Sequence, residues 1–355
     1  MISNEKINEI REFLNKSQNP LFFFDNDLDG LASFMLLRRY CNKGKGIAIK
    51  TFPDLNSTYL RKLNEFSPDF VFIIDKPLVS KQFLHECNEK GIPVIWIDHH
   101  PKPFKDNEED FEKINYFNPL ENEKPTNEPV SYWCYKISGK QEDEWIAMLG
   151  CISDWFLPEF ANSFAENNPD LFIKLKQAEQ AKALYETELG RLAKVINFGL
   201  KDRTSNVVKM IKYLLNLKSP REILEKNLKN ATIYHRFSQV DRKYSKLLEK
   251  AKEIGKINKN LLFFQYGGEL SLSGELANEL FYNFPNLTIV VCYIKGTRVN
   301  VSVRSKDDAR TMTIKSLEGI ESTAGGHENA CGATLSIEDL PKFRDNMIRM
   351  IKSKT

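Results

Sequence analysis

The chain of 355 residues has few cysteines. They stand at 41, 87, 134, 151, 292 and 331, and no two form a CxxC pair. That spacing excludes a zinc knuckle and offers no disulfide framework, so reduced thiols in a cytoplasmic protein are expected, most of them small core side chains. No long apolar run is present, so no transmembrane helix and no membrane partner are expected. The polar start, Met1-Ile2-Ser3-Asn4-Glu5-Lys6, lacks the apolar core of a signal peptide. No seven-residue repeat is sustained, so no coiled coil is expected. Net charge is also small, at +3. Its distribution is uneven: residues 1–170 sum to −9, 171–260 to +12 and 261–355 to 0. A basic middle section fits either an anionic polymer lying against it or a lysine-rich helical surface kept soluble by charge.

What is present begins with Phe22-Phe23-Phe24-Asp25-Asn26-Asp27-Leu28-Asp29-Gly30. An apolar run ends in three carboxylates at every second position, followed by a glycine and a helix-like segment from Leu31 to Tyr40. On extended backbone, alternate side chains share a face. Three like charges on one face call for a cationic partner, typically a divalent ion; otherwise the segment is a solvated acidic turn. Asp69 to Asp75 is a second apolar run ending in a carboxylate. Pro93 to Ile97 is a third, ending in Asp98-His99-His100. Helical segments lie between these runs (Leu60–Phe66, Ser80–Lys90), and Ile47–Phe52 reads as another strand. Alternating strands and helices predict a mostly parallel sheet covered on both faces, with ligands beyond the carboxyl ends of its strands. Such a sheet brings all three polar strand ends to one edge.

Residues 101–129 are polar, acidic and proline-containing and read as loop. Val130–Ile137 and Trp145–Ile152 read as helices, the second ending at Asp154, which by spacing is either a helix-end residue or a further ligand. Residues 171–256 are helical by period, with Gly190, Gly199 and Pro220 expected to divide them. The last section, from 258, returns to alternating strands and helices and contains Ala324-Gly325-Gly326-His327, expected as a tight loop. The resulting organisation is α/β: a parallel-sheet domain over 1–160, a helical basic connector over 161–257 and a smaller α/β domain over 258–355; that the first is catalytic, with the active site in the cleft between the domains, is what the resemblance described below implies.

Carboxylates and imidazoles without thiolates suit Mn²⁺ or Mg²⁺, with Mn²⁺ favoured by the histidines. Asp25, Asp27, Asp29, Asp75 and Asp154 with two imidazoles exceed the needs of one ion, and two ions sharing a carboxylate would use them. His99 and His100 alternate faces on extended backbone, so one is expected on metal and the other on substrate. His85 and His235 read as structural. Gly325-Gly326 lets backbone approach a phosphate, with His327 as donor, and Arg304 offers a bidentate clamp. Taken singly, each of these last features is equally a turn or a surface arginine.

Together the motifs resemble the DHH phosphoesterase superfamily, over residues 20–157 and 258–340. Asp25-Asn26-Asp27-Leu28-Asp29-Gly30 is similar to its first motif, Asp75 to its second, Asp98-His99-His100 to the motif that names it, and Asp154 to the fourth. Ser302-Val303-Arg304-Ser305 and Ala324-Gly325-Gly326-His327 are similar to motifs of its associated C-terminal domain, with alanine where that domain has the first of three glycines. The pattern is nearest RecJ-like nucleases, the archaeal GINS-associated type included. The resemblance implies two Mn²⁺ ions between the domains, held by Asp25, Asp27, Asp29, Asp75, His99 and Asp154, with Asp75 bridging. It implies that Asp98 orients a histidine, that His100 contacts the scissile phosphate, and that Arg304, Gly325, Gly326 and His327 hold substrate phosphate. The activity implied is hydrolysis of phosphodiesters in single-stranded nucleic acid, with replication or repair proteins as candidate partners. Two other readings stand beside it. One is an enzyme for short substrates: oligoribonucleotides, 3′-phosphoadenosine 5′-phosphate or a cyclic dinucleotide. The other is a non-catalytic replication-associated binding protein, against which the complete set of acids argues.

Overall fold

Near-continuous apolar strands make the first sheet, and their alternation sorts its two faces. The computed structural model describes residues 2–51, 54–103, 111, 114–257 and 260–352. Strands β1 (Pro20–Asp25), β2 (Lys45–Ile49), β4 (Phe70–Ile74), β6 (Val94–Ile97) and β7 (Ile114–Phe117) form a parallel sheet in the order β2-β1-β4-β6-β7; β3 (Asp54–Leu55) and β5 (Leu78–Val79) pair separately. Phe22, Phe24, Phe72, Ile74, Ile95 and Ile97 enter one core, while Leu21, Phe23, Val71, Ile73, Val94 and Trp96 enter another on the opposite face. This is the period-two alternation of strands buried on both sides.

The first face is covered by α1 (Asn4–Lys16), α2 (Leu28–Cys41), α5 (Val130–Ser138), α6 (Glu144–Ser153) and α9 (Glu188–Leu200); the second by α3 (Leu60–Phe66) and α4 (Lys81–Glu89). Around them lie α7 (Ala161–Asn167), α8 (Gln180–Tyr185), α10 (Thr204–Leu215), α11 (Arg221–Leu224) and the long α12 (Ala231–Ile257). The chain divides into two compact units, residues 1–237 and 238–355, at a boundary inside α12. Residues 161–237 belong to the first unit, and Leu189, Leu192 and Ile196 share a core with Phe22 and Phe24.

The second unit has its own sheet, ordered β11-β12-β10-β9-β8 from β8 (Leu261–Gly267), β9 (Thr288–Lys295), β10 (Arg298–Arg304), β11 (Ser322–His327) and β12 (Ala330–Ser336). Only β8 and β9 pair in parallel; the other pairs are antiparallel. Helices α13 (Ser273–Asn283), α14 (Ala309–Ser316) and α15 (Leu340–Lys352) complete it.

Four local expectations need correction. The 101–129 segment, read as loop, contains β7, the fifth strand of the parallel sheet; residues 104–110 and 112–113 of it lie outside the described residues. Gly190 and Gly199 do not divide the helices, since both sit within α9. Gly325, Gly326 and His327 are not a free loop but lie in β11, paired with β12 through Gly325↔Gly332, Gly326↔Cys331 and His327↔Ala330. The three leading carboxylates do not share one strand: Asp25 closes β1, whereas Asp27 caps α2 and Asp29 lies within it.

Candidate metal centre

The first motif spans a strand end and a helix start. Asp25 closes β1, Asp27 is the N-cap of α2 and accepts a hydrogen bond from the Gly30 amide at 2.9 Å, and Asp29 lies in the first helical turn. The carboxylates therefore converge because the chain folds back at a helix N-terminus, not because alternate strand residues share a face. Gly30 permits the fold-back: a Cβ there would stand 2.5 Å from the Asp25 carbonyl oxygen and 2.9 Å from its nitrogen. Only a residue without a side chain lets two backbones approach so closely.

Asp29 is buried, and both its oxygens are engaged. The Val130 amide donates to Oδ2 at 2.8 Å and the Ser131 amide to Oδ1 at 3.0 Å. These are first-turn amides of α5 that have no carbonyl partner within the helix, and a carboxylate there is favoured by both hydrogen bonding and the helix dipole.

Asp75 follows β4 at φ 56°, a left-handed conformation that a non-glycine residue adopts at a cost of order 1–3 kcal/mol. Its amide donates to the Ile97 carbonyl at 2.9 Å, and the Asp98 amide donates to the Phe117 carbonyl at 3.0 Å, so the ends of β4, β6 and β7 are stitched together. His99 Nε2 lies 3.4 Å from Asp75 Oδ1 and 3.6 Å from Asp154 Oδ2. Asp154 is the C-cap of α6, and Trp155 beyond it has φ 55°. Ligating atoms of Asp29, Asp75 and His99 all lie within 4.8 Å of one another. Asp98 is fully buried and takes His100 from two sides: Oδ1 lies 2.9 Å from Nδ1, and Oδ2 accepts from the His100 amide at 3.2 Å. Asn118 fixes the same loop by donating to the His100 carbonyl at 2.7 Å.

Electrostatics follow from this crowding. Desolvation, then the charges of Asp29, Asp27, Asp154 and Asp25, push the Asp75 carboxyl well above its usual range. Desolvation and Asp29 do the same to Asp154. Desolvation raises Asp29 despite its amide hydrogen bonds. Asp27 reaches solvent at the mouth of the group, yet desolvation, then Asp25, raises it to about 7. His100 goes the other way for an imidazole in protein: desolvation alone would lower it, but Asp98, Asp154 and Asp25 override this and hold it up at about 9.

Lys76 is a buried neighbour of the carboxylates that the sequence reading did not single out. It is 1% exposed, and its Nζ lies 3.0 Å from Asp25 Oδ1 and 3.2 Å from the Thr51 carbonyl oxygen. Trp96 Nε1 donates to the Lys76 carbonyl at 2.9 Å and fixes the backbone there. The available signal was a lysine directly after a buried strand-end acid, followed by Pro77, which marks a tight exit from the strand.

The donor set fits a divalent cation. It consists of carboxylate oxygens and one imidazole nitrogen, hard to borderline ligands, on three strand ends and two helix ends. Among the described residues, Lys76 pairs with Asp25 and His100 with Asp98, two positive groups against the six carboxyls of Asp25, Asp27, Asp29, Asp75, Asp98 and Asp154.

In the second unit, β12 lies between β11 and β10, and Ala330 pairs with His327 on one side and Arg304 on the other. The register thus sets Arg304 and His327 at the same end of the sheet, flanking one residue. Arg304 Nε donates to Asn278 Oδ1 at 2.6 Å, and Nη1 to the Val303 carbonyl at 2.8 Å. Gly326 has φ 142°, and a Cβ on it would meet the Ala330 carbonyl oxygen at 2.3 Å, so its glycine is required by both conformation and space.

Comparison with known proteins agrees with this architecture. Residues 21–150 match the family model described as DHH family, N-terminal domain, and residues 258–353 match the DHHA1 domain. No curated protein matches the chain by sequence. RecJ from Thermus thermophilus, solved in complex with Mn²⁺, superposes with a TM-score of 0.67 at 15% identity, over 98% of this chain and 54% of that one. The chain therefore spans about half the length of that relative. The DHH domain of a protein described as a member of the s1p family of ribosomal proteins gives 0.68 at 13% identity, over 98% and 90%. PggH from Vibrio cholerae, described as a pGpG-specific phosphodiesterase, gives 0.50 at 15%, over 95% and 100%. At such identities the likeness is one of fold.

Proposed function

The chain belongs to the DHH phosphoesterase superfamily, and we propose that it is a metal-dependent phosphodiesterase that hydrolyses single-stranded DNA or RNA. The observation that carries this reading is the packing of Asp29, Asp75 and His99 around one point, with Asp25, Asp27 and Asp154 beside them. A protein that needed only a scaffold would gain nothing from such repulsion, whereas a cation site requires it.

Asp25, Asp27, Asp29, Asp75, His99 and Asp154 would together hold two ions, with Asp75 shared. Bound Mn²⁺ or Mg²⁺ would supply Lewis acidity to the phosphoryl centre and its attacking water. The protein's own contribution is positional. Asp98 fixes His100 through Nδ1, so Nε2 is the nitrogen that would meet a scissile phosphate. A His100 held positive by Asp98 favours the extra negative charge of the transition state and can return a proton to the leaving oxygen. Arg304 and His327 are assigned to substrate phosphate.

A short-substrate reading has one observation in its favour, the full-length match to a pGpG-specific phosphodiesterase of similar extent. Hydrolysis of 5′-labelled DNA and RNA of graded length, with Mn²⁺ and with Mg²⁺, separates the two. Turnover of long single strands is expected, and turnover confined to dinucleotides refutes the polymer reading. Asp75→Asn should abolish hydrolysis of every length; activity retained in that variant removes the site assignment.

A further inference from the structure

The chain leaving β4 places a fixed positive charge against one of the carboxylates. β1 and β4 pair in parallel with Phe24 opposite Ile74, so Asp25 and Asp75 follow at neighbouring strand ends, and Lys76 comes next. Its side chain runs inward: Nζ lies 3.0 Å from Asp25 Oδ1 and 3.2 Å from the Thr51 carbonyl beyond β2. Lys76 is among the largest fully buried side chains of the protein, and its carbonyl accepts from the buried Trp96 indole. Pro77 follows it and restricts its backbone to extended conformations. The ammonium therefore has no solvent to swing into when another cation arrives.

This charge differs from the other positive group of the centre. His100 stands 3.9 Å from Asp75 but 2.9 Å from Asp98, whose buried carboxylate balances it. Among the described residues, Lys76 has Asp25 as its one acidic partner. Asp25 is correspondingly half used. Its Oδ1 takes both Lys76 Nζ and the Asn26 amide, the latter at 2.8 Å, and Oδ2 is the oxygen that remains for a cation. The oxygens of Asp29 are also engaged, but by neutral amides, which leave its negative charge in place. Among the described residues no lysine or arginine pairs with Asp29 or Asp75. Cations drawn to this group thus meet two unlike environments: uncompensated carboxylate charge around Asp29, Asp75 and His99, and at Asp25 a carboxylate already offset by an ammonium.

We propose that Lys76 separates the affinities of the two ions, so that one loads tightly at Asp29, Asp75 and His99 and the one that needs Asp25 loads weakly, against the lysine. Lys76 acts through Asp25 and is a positioning residue, not a ligand. The inference rests on the two-ion reading above and deepens it: the chain holds one resident ion, and the second arrives only at higher metal concentration.

The test is a Mn²⁺ titration of the metal-free full chain, read by electron paramagnetic resonance, which counts free ion in the presence of bound ion and needs no turnover. The parent should show a tight and a weak class of site. Groups that contact metal ligands tune affinity by about 10- to 100-fold, and here the sign is that of a removed repulsion. Lys76→Met and Lys76→Gln should therefore tighten the weak class by about that factor and shift the tight class less. Glutamine keeps an N–H donor without the charge, so agreement of the two variants assigns the effect to charge and not to packing. Asp25→Asn should remove the weak class and leave the tight one. Where Lys76→Met fails to fold without metal, the other two variants carry the test. A weak class that is unmoved or weakened on loss of the lysine overturns the proposal, as does a gain in Lys76→Met that Lys76→Gln does not share, or loss of the tight class in Asp25→Asn. Each of these leaves the two-ion reading standing. A parent that binds one Mn²⁺ or none sinks that reading and this inference with it.

Discussion

Replacing Lys76 by methionine tests the electrostatic logic of the centre most directly. The side chain is 1% exposed, its ammonium is 3.0 Å from Asp25 Oδ1, and a quarter of the Asp25 side chain (26%) remains exposed. At an effective dielectric of about 20, unit charges at that separation attract by about 5 kcal/mol, part of which only offsets desolvation. Removing one member of a buried pair costs about 3–5 kcal/mol, and the solvent left to Asp25 puts this case at the lower end, about 3 kcal/mol. Methionine keeps the length and apolar stem, so packing changes little. For a unit of this size the loss corresponds to a fall in Tm of about 6–12 °C, read by circular dichroism in the presence of a chelator. Adding Mn²⁺ should recover most of the loss, because the ion supplies the charge that the lysine gave. A metal-free Tm equal to that of the parent, or a loss that Mn²⁺ leaves intact, refutes the view that Lys76 balances this carboxylate group.

Two further outcomes follow from the same geometry. Asp29→Ala removes two charge-assisted hydrogen bonds to the α5 amides, so urea unfolding of the metal-free chain should show a loss of about 3 kcal/mol, against about 1 kcal/mol for the Asp27→Ala helix cap; equal losses would mean that α5 does not depend on Asp29. Asp75, Asp154, Asp29 and Asp27 are all raised above the ordinary carboxylate value of 3.8, Asp27 to about 7. The metal-free folded state therefore binds more protons than the unfolded one within that window, and its stability falls as pH rises from about 4 through about 7. Since a cation needs the ionised carboxylates, stabilisation by Mn²⁺ should grow over the same range. Melting curves with chelator and with Mn²⁺ at each pH check both signs, and a metal-free Tm that climbs through the window contradicts the clustering.

What could be read from the sequence depended on whether a local pattern had one structural cause. The apolar runs ending at Asp25, Asp75 and Asp98 are unambiguous, because a strand buried on both faces leaves few other uses for such runs. That gave the parallel sheet and the shared edge. The reason given for the convergence of Asp25, Asp27 and Asp29 was wrong although the convergence is real: period two on a strand and a fold-back at a helix N-terminus place the same residues together. β7 escaped because Ile114-Asn115-Tyr116-Phe117 is short and follows an acidic stretch, and its status as a strand comes from pairing with β6, which is a tertiary fact. Gly190 and Gly199 misled because helix propensity is a weak prior against packing in a shared core. For Lys76 the sequence carries only a lysine placed directly after a strand-end acid, and its part in the site depends on a burial that lysine rarely has.

Asp29 also links the centre to the fold. Its two oxygens cap α5, α5 and α6 pack with α2 in one core, and α6 ends in Asp154, which faces the same His99 that Asp75 faces. Proton or cation occupancy at Asp29 therefore acts on a helix N-terminus, and any shift of α5 is passed to the helix that carries Asp154. A ligand that binds the folded state alone stabilises it by mass action, whatever its site. Here the residues that would hold the ion are also the caps and ends of the elements around it. Metal loading should then raise protection of the α5 and α6 amides against hydrogen exchange ahead of those in α3 and α4, which lie on the other face of the sheet and share no residue with the site.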